Sequence, residues 1–435
     1  MRTDRYGLPL TTSSDAGVEA YRAGVDCILS AWPGAARHLE AALAHDPEFA
    51  LAAIARARVH QMHAEMAEAR ARAAEAAALA ERASERERRH VAIIHAAIHG
   101  EPGKALTWAE EHLEQHPRDA LVMALLLGAF GLYAFSGRAD HDAARLALCE
   151  RHARHYGPDW WFLGYLGWSH TEASNPTLGR EITEQALALR RDNANAAHAL
   201  SHAFFEQGDD AAALDLVRGW LPGYGRDGIL HGHIAWHLAL LAIARDDLDE
   251  ALRVYESSIS PANSMGPPLN VFTDSASLLW RMQLAGRDGL HKQWQEIGAF
   301  ATRSFPRAGI PFADVHVGLL AAGPEDAAAI EQRLAALETL LAEGRLAPGP
   351  VVGRLVRGFS DFAAGDYATA IATLDAAMPD AVRIGGSHAQ REIIEDTLIV
   401  ACLRGGRPER ARALIDARLH RRPSARDERW RTMAM

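Results

Sequence analysis

The sequence has few of the features that mark secreted or membrane-spanning proteins. Its 435 residues include only three cysteines, Cys27, Cys149 and Cys402, without a CxxC pair. This excludes a disulfide framework and a thiolate zinc site, and it predicts a reducing compartment, the cytoplasm. The N-terminus lacks an apolar segment of signal-peptide type. The longest apolar run, 120–135, is short for a membrane span and contains two glycines, so we expect a buried helix there.

Strand signals and several enzyme motifs are scarce as well. β-Branched residues are sparse, and alternation of apolar and polar residues does not persist. The Walker, GxSxG, HExxH and strand-linked GxGxxG motifs are absent, which argues against the enzyme classes that depend on them. The net charge is −10 without a block of Lys or Arg, so we expect neither nucleic acid nor a membrane as a partner.

What the chain does contain is helical periodicity. Hydrophobic residues make up 49% and charged residues 23%, a globular composition. Segments rich in Ala, Leu, Glu and Arg alternate with short turns containing Gly, Asp, Asn or Pro. The pattern predicts a succession of helical hairpins.

A tetratricopeptide-like spacing recurs along the chain. A turn residue, a small residue five positions later and a proline twelve positions after that fall at Gly100, Ala105 and Pro117. Whole or partial matches occur at Gly406–Ala411–Pro423, Ala35–Pro47, Gly208–Ala213, Asp246–Ala251 and Gly365–Ala370. We therefore predict an all-α superhelix (an α-solenoid) with a concave groove, forming one domain over 1–435. If the array divides into halves, the seam is expected at 260–270 or 343–353.

Several segments together resemble a known family, the tetratricopeptide repeat protein thirty-eight family. The matching pieces are GLPLTTSS (7–14), RERRHVAIIHAAIHGEPGKAL (86–106), the HxxxH segments at 198–202 and 233–237, TDSASLLWRMQLAG (273–286), FADVHVGLLAAG (312–323) and GGSHAQR (385–391). The resemblance spans the chain and implies an all-helical superhelix without a fused catalytic domain. It implies no particular biochemical activity.

Histidines are the residues that most suggest chemistry. The chain has 22 of them, and HxxxH spacing puts two on one helical face at His112–His116, His198–His202 and His233–His237. The first pair ends a second helix and is interpreted as a chance match. The other two pairs belong to first helices of successive hairpins, which run side by side along the groove. Four imidazoles could therefore meet at one point.

Three interpretations of these four histidines stay open. They could bind a divalent metal, zinc or iron, because neutral imidazoles one turn apart can chelate such ions. They could form a metal-free polar groove for a ligand, or they could be purely structural. Glu172 and Glu206 fall nearby and are candidate catalytic residues, as a further ligand or a base.

Other residues are candidates for ligand binding. Trp236 lies between the paired histidines, although packing is the favoured role. Asp314 precedes His316 by two residues and could orient it, but helix capping is favoured; Asp274 is similarly ambiguous. Gln390 and Arg391 follow a Gly-Gly-Ser turn that could contact an anion, or in which Ser387 could simply cap the helix.

Two functions follow from this sequence. In the first, the groove binds a small molecule and a metal at the histidines, with a hydrolase- or oxygenase-type reaction unassigned. In the second, the protein is a non-enzymatic adaptor that binds a peptide or partner protein. A homo-oligomer is compatible with either.

Overall fold

The computed structural model describes residues 1–322 and 327–435 and is all-α. The only β-type pairing in this part of the chain is an isolated bridge between Thr3 and Pro9. Helices α1–α12 span Asp15–Ser30, Ala35–His45, Ala50–Met62, Met66–Ala80, Glu85–Ile98, Pro102–Gln115, Ala120–Leu127, His141–Tyr156, Trp160–Glu172, Pro176–Leu189, Ala194–Gln207 and Asp210–Trp220. Helices α13–α23 span His231–Ala244, Leu248–Val254, Pro268–Leu284, His291–Ser304, Pro311–Val317, Ala327–Ala342, Val351–Ala363, Tyr367–Ala377, His388–Arg404, Pro408–Arg421 and Ala425–Met433.

Short 3₁₀ and π segments extend some of these helices. The 3₁₀ turns are Ala134–Ser136, Leu221–Gly223, Gly318–Ala322 and Met378–Ile384, and the π turn is Tyr255–Ile259. Gly323, the last residue of the FADVHVGLLAAG segment, lies outside the described residues. The loops 260–267 and 343–350, where a seam was predicted, connect α14 to α15 and α18 to α19.

The predicted tetratricopeptide-like hairpins are confirmed. Gly208 ends α11 with φ 70° and Asp246 follows α13 with φ 63°, the left-handed conformation that turns the chain into the next helix. The small residues five positions after the turns are almost completely buried, which lets the two helices of each hairpin approach closely. These residues are Ala105, Ala213, Ala251, Ala370 and Ala411.

Two local predictions differ from the structure. Ala35 is the first residue of α2 and is half-buried, because α2 begins later in its hairpin than its counterparts do. The apolar run 120–135 is α-helical and mostly buried up to Leu127, and residues 128–132 are partly exposed, several of them to the cavity. The chain then turns tightly through Gly128 and Gly131, where a side chain on Gly131 would come within 2.7 Å of the Leu126 carbonyl oxygen. No helix in the described ranges combines the length and apolarity needed to cross a membrane.

The superhelix closes back on itself. Near the C-terminus, the Gly386 N–H donates to the Ala129 carbonyl at 3.2 Å, and Arg383 donates to the Gly137 carbonyl at 3.0 Å. From the other side, His141 Nε2 donates to the Val382 carbonyl at 3.0 Å. These contacts join the 378–391 segment to the 129–142 segment. The predicted concave groove is therefore bordered by these contacts, and it forms a cavity that is partly open to solvent.

Two large hydrophobic cores lie on either side of the middle helices. One core is formed by apolar residues between 6 and 162, and the other by apolar residues between 205 and 434. Helices α9, α11 and α13 connect them, packing side by side as the first helices of three successive hairpins. Helix α9 packs into the first core and α13 mainly into the second, and two smaller clusters hold most of α11 between them.

Candidate functional site

The predicted histidine cluster forms in the structure. His198 and His202 lie one turn apart on α11, and His233 and His237 lie one turn apart on α13. One ring nitrogen from each of the four residues lies within 4.8 Å of the others. The closest pair is His198 Nε2 and His202 Nε2, 2.9 Å apart. Neighbouring first helices therefore bring the two HxxxH pairs to one point.

Two carboxyl groups stand behind the imidazoles. Asp274 on α15 accepts a hydrogen bond from His233 Nδ1 at 2.8 Å. Glu172, the last residue of α9, has Oε1 3.5 Å from His202 Nδ1. Glu172 Oε1 and His202 Nδ1 are near each other without a hydrogen bond, whereas the hydrogen bond to Asp274 leaves Nε2 of His233 to face the centre of the cluster. This arrangement is typical of histidines oriented for metal binding by an outer carboxylate.

The cluster is electrostatically suited to neutral imidazoles. Burial lowers the pKa of His198, His202 and His237 well below the ordinary 6.5, and the neighbouring imidazoles lower these pKa values further. Burial also raises the pKa of the Glu172 carboxyl group, with the negative charge of Asp142 adding to the effect. Neutral imidazole is the form that ligates metal ions.

Several buried polar atoms at the cluster have no protein partner. Both ring nitrogens of His237 are without one, as are Asp274 Oδ1 and Glu172 Oε1. An unsatisfied buried polar group costs about 1–3 kcal/mol, and such atoms also occur away from the cluster, for example at both ring nitrogens of His152. A cation bound among the nitrogens would supply a partner for His237, and imidazoles are suitable ligands for such an ion.

A cavity of 710 Å³ adjoins the cluster. His198 and His233 line it, whereas His202 and His237 lie behind them. Trp168, in the wall, has its ring 5.5 Å from that of His198 and 4.7 Å from that of His202. The remainder of the wall is mainly apolar, with Met62, Met66, Leu121, Phe130, Phe135 and Leu269 among its residues. A ligand in the cavity would touch two of the four imidazoles.

The two candidate catalytic glutamates have different surroundings. Glu172 Oε2 accepts a hydrogen bond from the His388 N–H at 2.8 Å, while its Oε1 faces His202. Glu206 Oε1 accepts from His388 Nδ1 at 2.8 Å, and this pairing raises the pKa of His388 although burial opposes it. Neither glutamate lines the cavity. Glu172 reaches the histidine cluster directly, and Glu206 reaches it only through His388 and Glu172.

The remaining predicted residues are only partly brought together. Trp236 is fully buried and stacks on His233 with ring centroids 5.4 Å apart, but it does not line the cavity. Gln390 lines the cavity and completes the capping box with Ser387 that begins α21. Arg391 donates to the Gly386 carbonyl and pairs with Asp142, so it links the 378–391 segment to the start of α8.

Asp314 and His316 lie away from the cavity. Asp314 accepts from the Gly309 N–H and pairs with Arg333, each at 3.0 Å, so it does not cap α17 through the N–H groups of that helix. His316 Nδ1 donates to the Phe312 carbonyl one turn earlier at 2.7 Å. Neither residue lines the cavity. Their side chains hold α17 in place and do not meet the histidine cluster.

Some relevant residues were not singled out in the sequence. Trp168 lies four residues before Glu172 and contacts the cluster, and His388, in the GGSHAQR segment, contacts the two glutamates. Arg58, on α3, lines the cavity without any motif around it. A further HxxxH pair, His95–His99, was missed; its rings stack 3.9 Å apart, away from the cavity. Tertiary packing, and no sequence pattern, distinguishes the residues at the cavity from the His95–His99 pair.

Comparison with known proteins gives limited similarity. No family model matches the sequence. A chain in the structure of Naa15/Naa10 bound to HypK-THB is 14% identical, with 93% of the present chain and 63% of that chain covered and a TM-score of 0.23. The TPR domain of P58(IPK) is 16% identical, with coverages of 92% and 99% and a TM-score of 0.21. At these scores neither structure carries an argument for the fold, and the hairpins of the chain itself establish the tetratricopeptide-like architecture.

Proposed function

We propose that the protein binds a small molecule in the cavity beside a divalent metal ion, zinc or iron, held by His198, His202, His233 and His237. The observation that carries this proposal is the convergence of four ring nitrogens within 4.8 Å. His198 and His202 hydrogen-bond each other and His233 donates to Asp274, but both ring nitrogens of His237 are left without a protein partner, and a bound ion would supply one.

The dimensions of the cluster are near those of such a site. Imidazole nitrogens ligate zinc at about 2.0–2.1 Å, so two ligands of a tetrahedral site lie about 3.3 Å apart. The four ring nitrogens lie within 4.8 Å of one another and would have to draw together around an ion, and the 2.9 Å between His198 Nε2 and His202 Nε2 is the length of a hydrogen bond between the two imidazoles. Asp274 supports the ligand geometry by fixing the ring of His233 through Nδ1.

The surrounding residues define what the site could do. A bound zinc or iron ion would supply Lewis-acid chemistry, activation of water, or oxygen chemistry, which are the hydrolase and oxygenase classes. The mainly apolar wall would shield part of a bound ligand from water, and His198 and His233 line the same cavity. Glu172 is the better candidate of the two glutamates to hold a proton, because its pKa is raised and it lies against His202.

Two further assignments belong to the same proposal. The quoted motifs support membership of the tetratricopeptide repeat protein thirty-eight family, from which no activity is transferred. The free cysteines Cys27, Cys149 and Cys402 support a reducing compartment, the cytoplasm.

Elemental analysis tests the metal directly. We would measure bound metal and zinc uptake in the wild type, in the His233→Ala/His237→Ala variant and in the His95→Ala/His99→Ala variant. The control pair has the same spacing on a helix but lies off the cavity. We expect about one ion per chain in the wild type and the control, and none in the first variant. Absence of metal and of uptake in all three proteins would refute the metal site.

An adaptor function is the second candidate, and the helical-repeat fold favours it because such arrays commonly hold peptides. Capture of peptides from a library by the same three proteins tests this. Peptide binding that is retained in His233→Ala/His237→Ala would support the adaptor, and its absence from the wild type would argue against it.

A further inference from the structure

The cavity has a positive lining although the chain is acidic. The protein has a net charge of −10. Two arginines, Arg58 and Arg303, line the cavity, and no carboxylate is found in its wall among residues 1–322 and 327–435. Arg303 is exposed, at the rim. Arg58 is therefore the positive charge that lies deeper in the cavity wall.

Arg58 lacks the counterion that a sheltered guanidinium normally has. Its one side-chain hydrogen bond within the described structure is donated by Nη1 to Gln61 Oε1 at 2.6 Å. Gln61 is in turn anchored through Nε2 to the Ala97 carbonyl at 3.4 Å. Burial lowers the pKa of Arg58 to about 10, which still leaves the guanidinium charged at neutral pH. A sheltered cation without an ion-pair partner is unfavourable unless an anion joins it.

The guanidinium and the histidine cluster flank the same stretch of α9. Burial raises the pKa of Tyr165 to about 12, and the positive charge of the nearby Arg58 opposes part of this shift. Trp168, about one helical turn or 5 Å further along α9, contacts His198. Both aromatic residues line the cavity. A ligand anchored at Arg58 would extend past these rings toward the imidazoles.

We infer that the ligand of this cavity is an amphipathic monocarboxylate, with its carboxylate on Arg58 and its apolar body along the wall that leads to His198 and His233. The inference deepens the proposed function and rests on it, since it concerns the same cavity. A single carboxylate is favoured over a phosphate because Arg58 is the one cation behind the rim in the described wall. The volume of 710 Å³ suits a ligand of this size class.

Calorimetric titration with matched eight-carbon probes tests the inference. The probes are octanoate, 1-octanol and octyl phosphate, titrated into zinc-loaded and metal-stripped full-length protein. The variants are Arg58→Met, which removes the charge, and Arg58→Lys, which keeps it. Arg56→Met is the control, because Arg56 lies on the same helix, pairs with Glu40 at 2.7 Å and does not line the cavity. Metal content is measured on every sample.

We expect octanoate to bind at least tenfold more tightly than 1-octanol or octyl phosphate. Arg58→Met should weaken octanoate at least tenfold and leave 1-octanol unchanged, while Arg58→Lys and Arg56→Met retain most of the affinity. Equal affinities of the wild type for octanoate and 1-octanol, tighter binding of octyl phosphate, or no binding of any probe would overturn the inference. Selective octanoate binding by a protein that takes up no metal would refute the metal site alone, and normal metal content without octanoate selectivity would refute the carboxylate alone.

Discussion

Two groups of buried histidines in this protein use the same residue types in opposite ways. In the N-terminal half, His90 Nδ1 and His112 Nε2 both donate to the Asp119 carboxylate, at 2.9 and 3.0 Å. Arg86 pairs with the same carboxylate at 3.2 Å and donates to the Pro9 carbonyl. A carboxylate is thus the centre of this network, and the cations and imidazoles surround it.

In the histidine cluster the order is reversed. The imidazole nitrogens of His198, His202, His233 and His237 face the centre, and the carboxyl groups of Asp274 and Glu172 stand outside them. The Asp119 network is satisfied at its centre by protein atoms and fastens the N-terminal segment. In the proposed metal site, the centre of the cluster would instead be filled by a bound ion with several nitrogen ligands. The position of the carboxylate therefore distinguishes a structural network from a candidate binding site.

The largest effect on stability is expected from Asp119→Asn. The substitution keeps the shape of the side chain but leaves Arg86 buried opposite a neutral group, so the free energy of unfolding should fall by about 3–5 kcal/mol. Denaturant unfolding measures this change. Zinc uptake by the folded variant should equal that of the wild type, and a loss of uptake would break the distinction between the two groups.

Asp274→Asn should give the reverse pattern. It removes the negative charge behind His233 Nδ1, and zinc affinity should fall about 10–100-fold, as found for outer carboxylates of metal sites. Competition with a chelator of known affinity measures the change, with Asp119→Asn as the matched carboxylate control. An unchanged zinc affinity would show that Asp274 does not support a metal ligand.

Acid should destabilise the protein through the Asp119 network. Burial alone would raise the pKa of Asp119, but His90 and His112 outweigh it and hold the pKa well below 3.8. A carboxyl group with a depressed folded-state pKa stabilises the fold above its unfolded pKa, about 3.9. That contribution is lost as the pH falls from about 4 through the folded pKa. Unfolding curves between pH 5 and pH 2 should show a smaller loss in Asp119→Asn than in the wild type, and parallel losses would contradict the assignment.

The smallest effect is expected from His95→Ala/His99→Ala. These rings stack on each other at a partly exposed position, so stability should change by less than about 0.5 kcal/mol. Metal content should stay the same. A drop in bound metal would mean that HxxxH spacing itself, wherever it occurs, binds the ion.

The fold was predictable because local signals repeat. The turn at Gly208 and the buried Ala213 after it depend on backbone conformation and side-chain size, which are properties of the residues themselves. The same repeat register placed His198, His202, His233 and His237 on neighbouring first helices. Closure of the superhelix was not predictable, since the hydrogen bond from Gly386 to Ala129 joins residues that are distant in sequence and carry no shared pattern.

The outer parts of the site were predictable only as alternatives. From the sequence, Asp274 could equally have been a helix cap. The hydrogen bond that it accepts from His233 depends on the packing of α15 against α13. Arg391 follows a Gly-Gly-Ser turn and could have bound an anion. In the folded protein its guanidinium instead pairs with Asp142 and donates to the Gly386 carbonyl. Arg58, which faces the cavity, is one of 46 basic residues and has no sequence feature that sets it apart.

X-ray absorption spectroscopy of the zinc-loaded protein tests the central claim most directly, because it reports the ligands of the ion. The account predicts nitrogen ligands at about 2.0–2.1 Å with the scattering pattern of three to four imidazoles, and loss of this pattern in His233→Ala/His237→Ala. A first shell made mainly of oxygen, or a spectrum that the double substitution leaves unchanged, would contradict it.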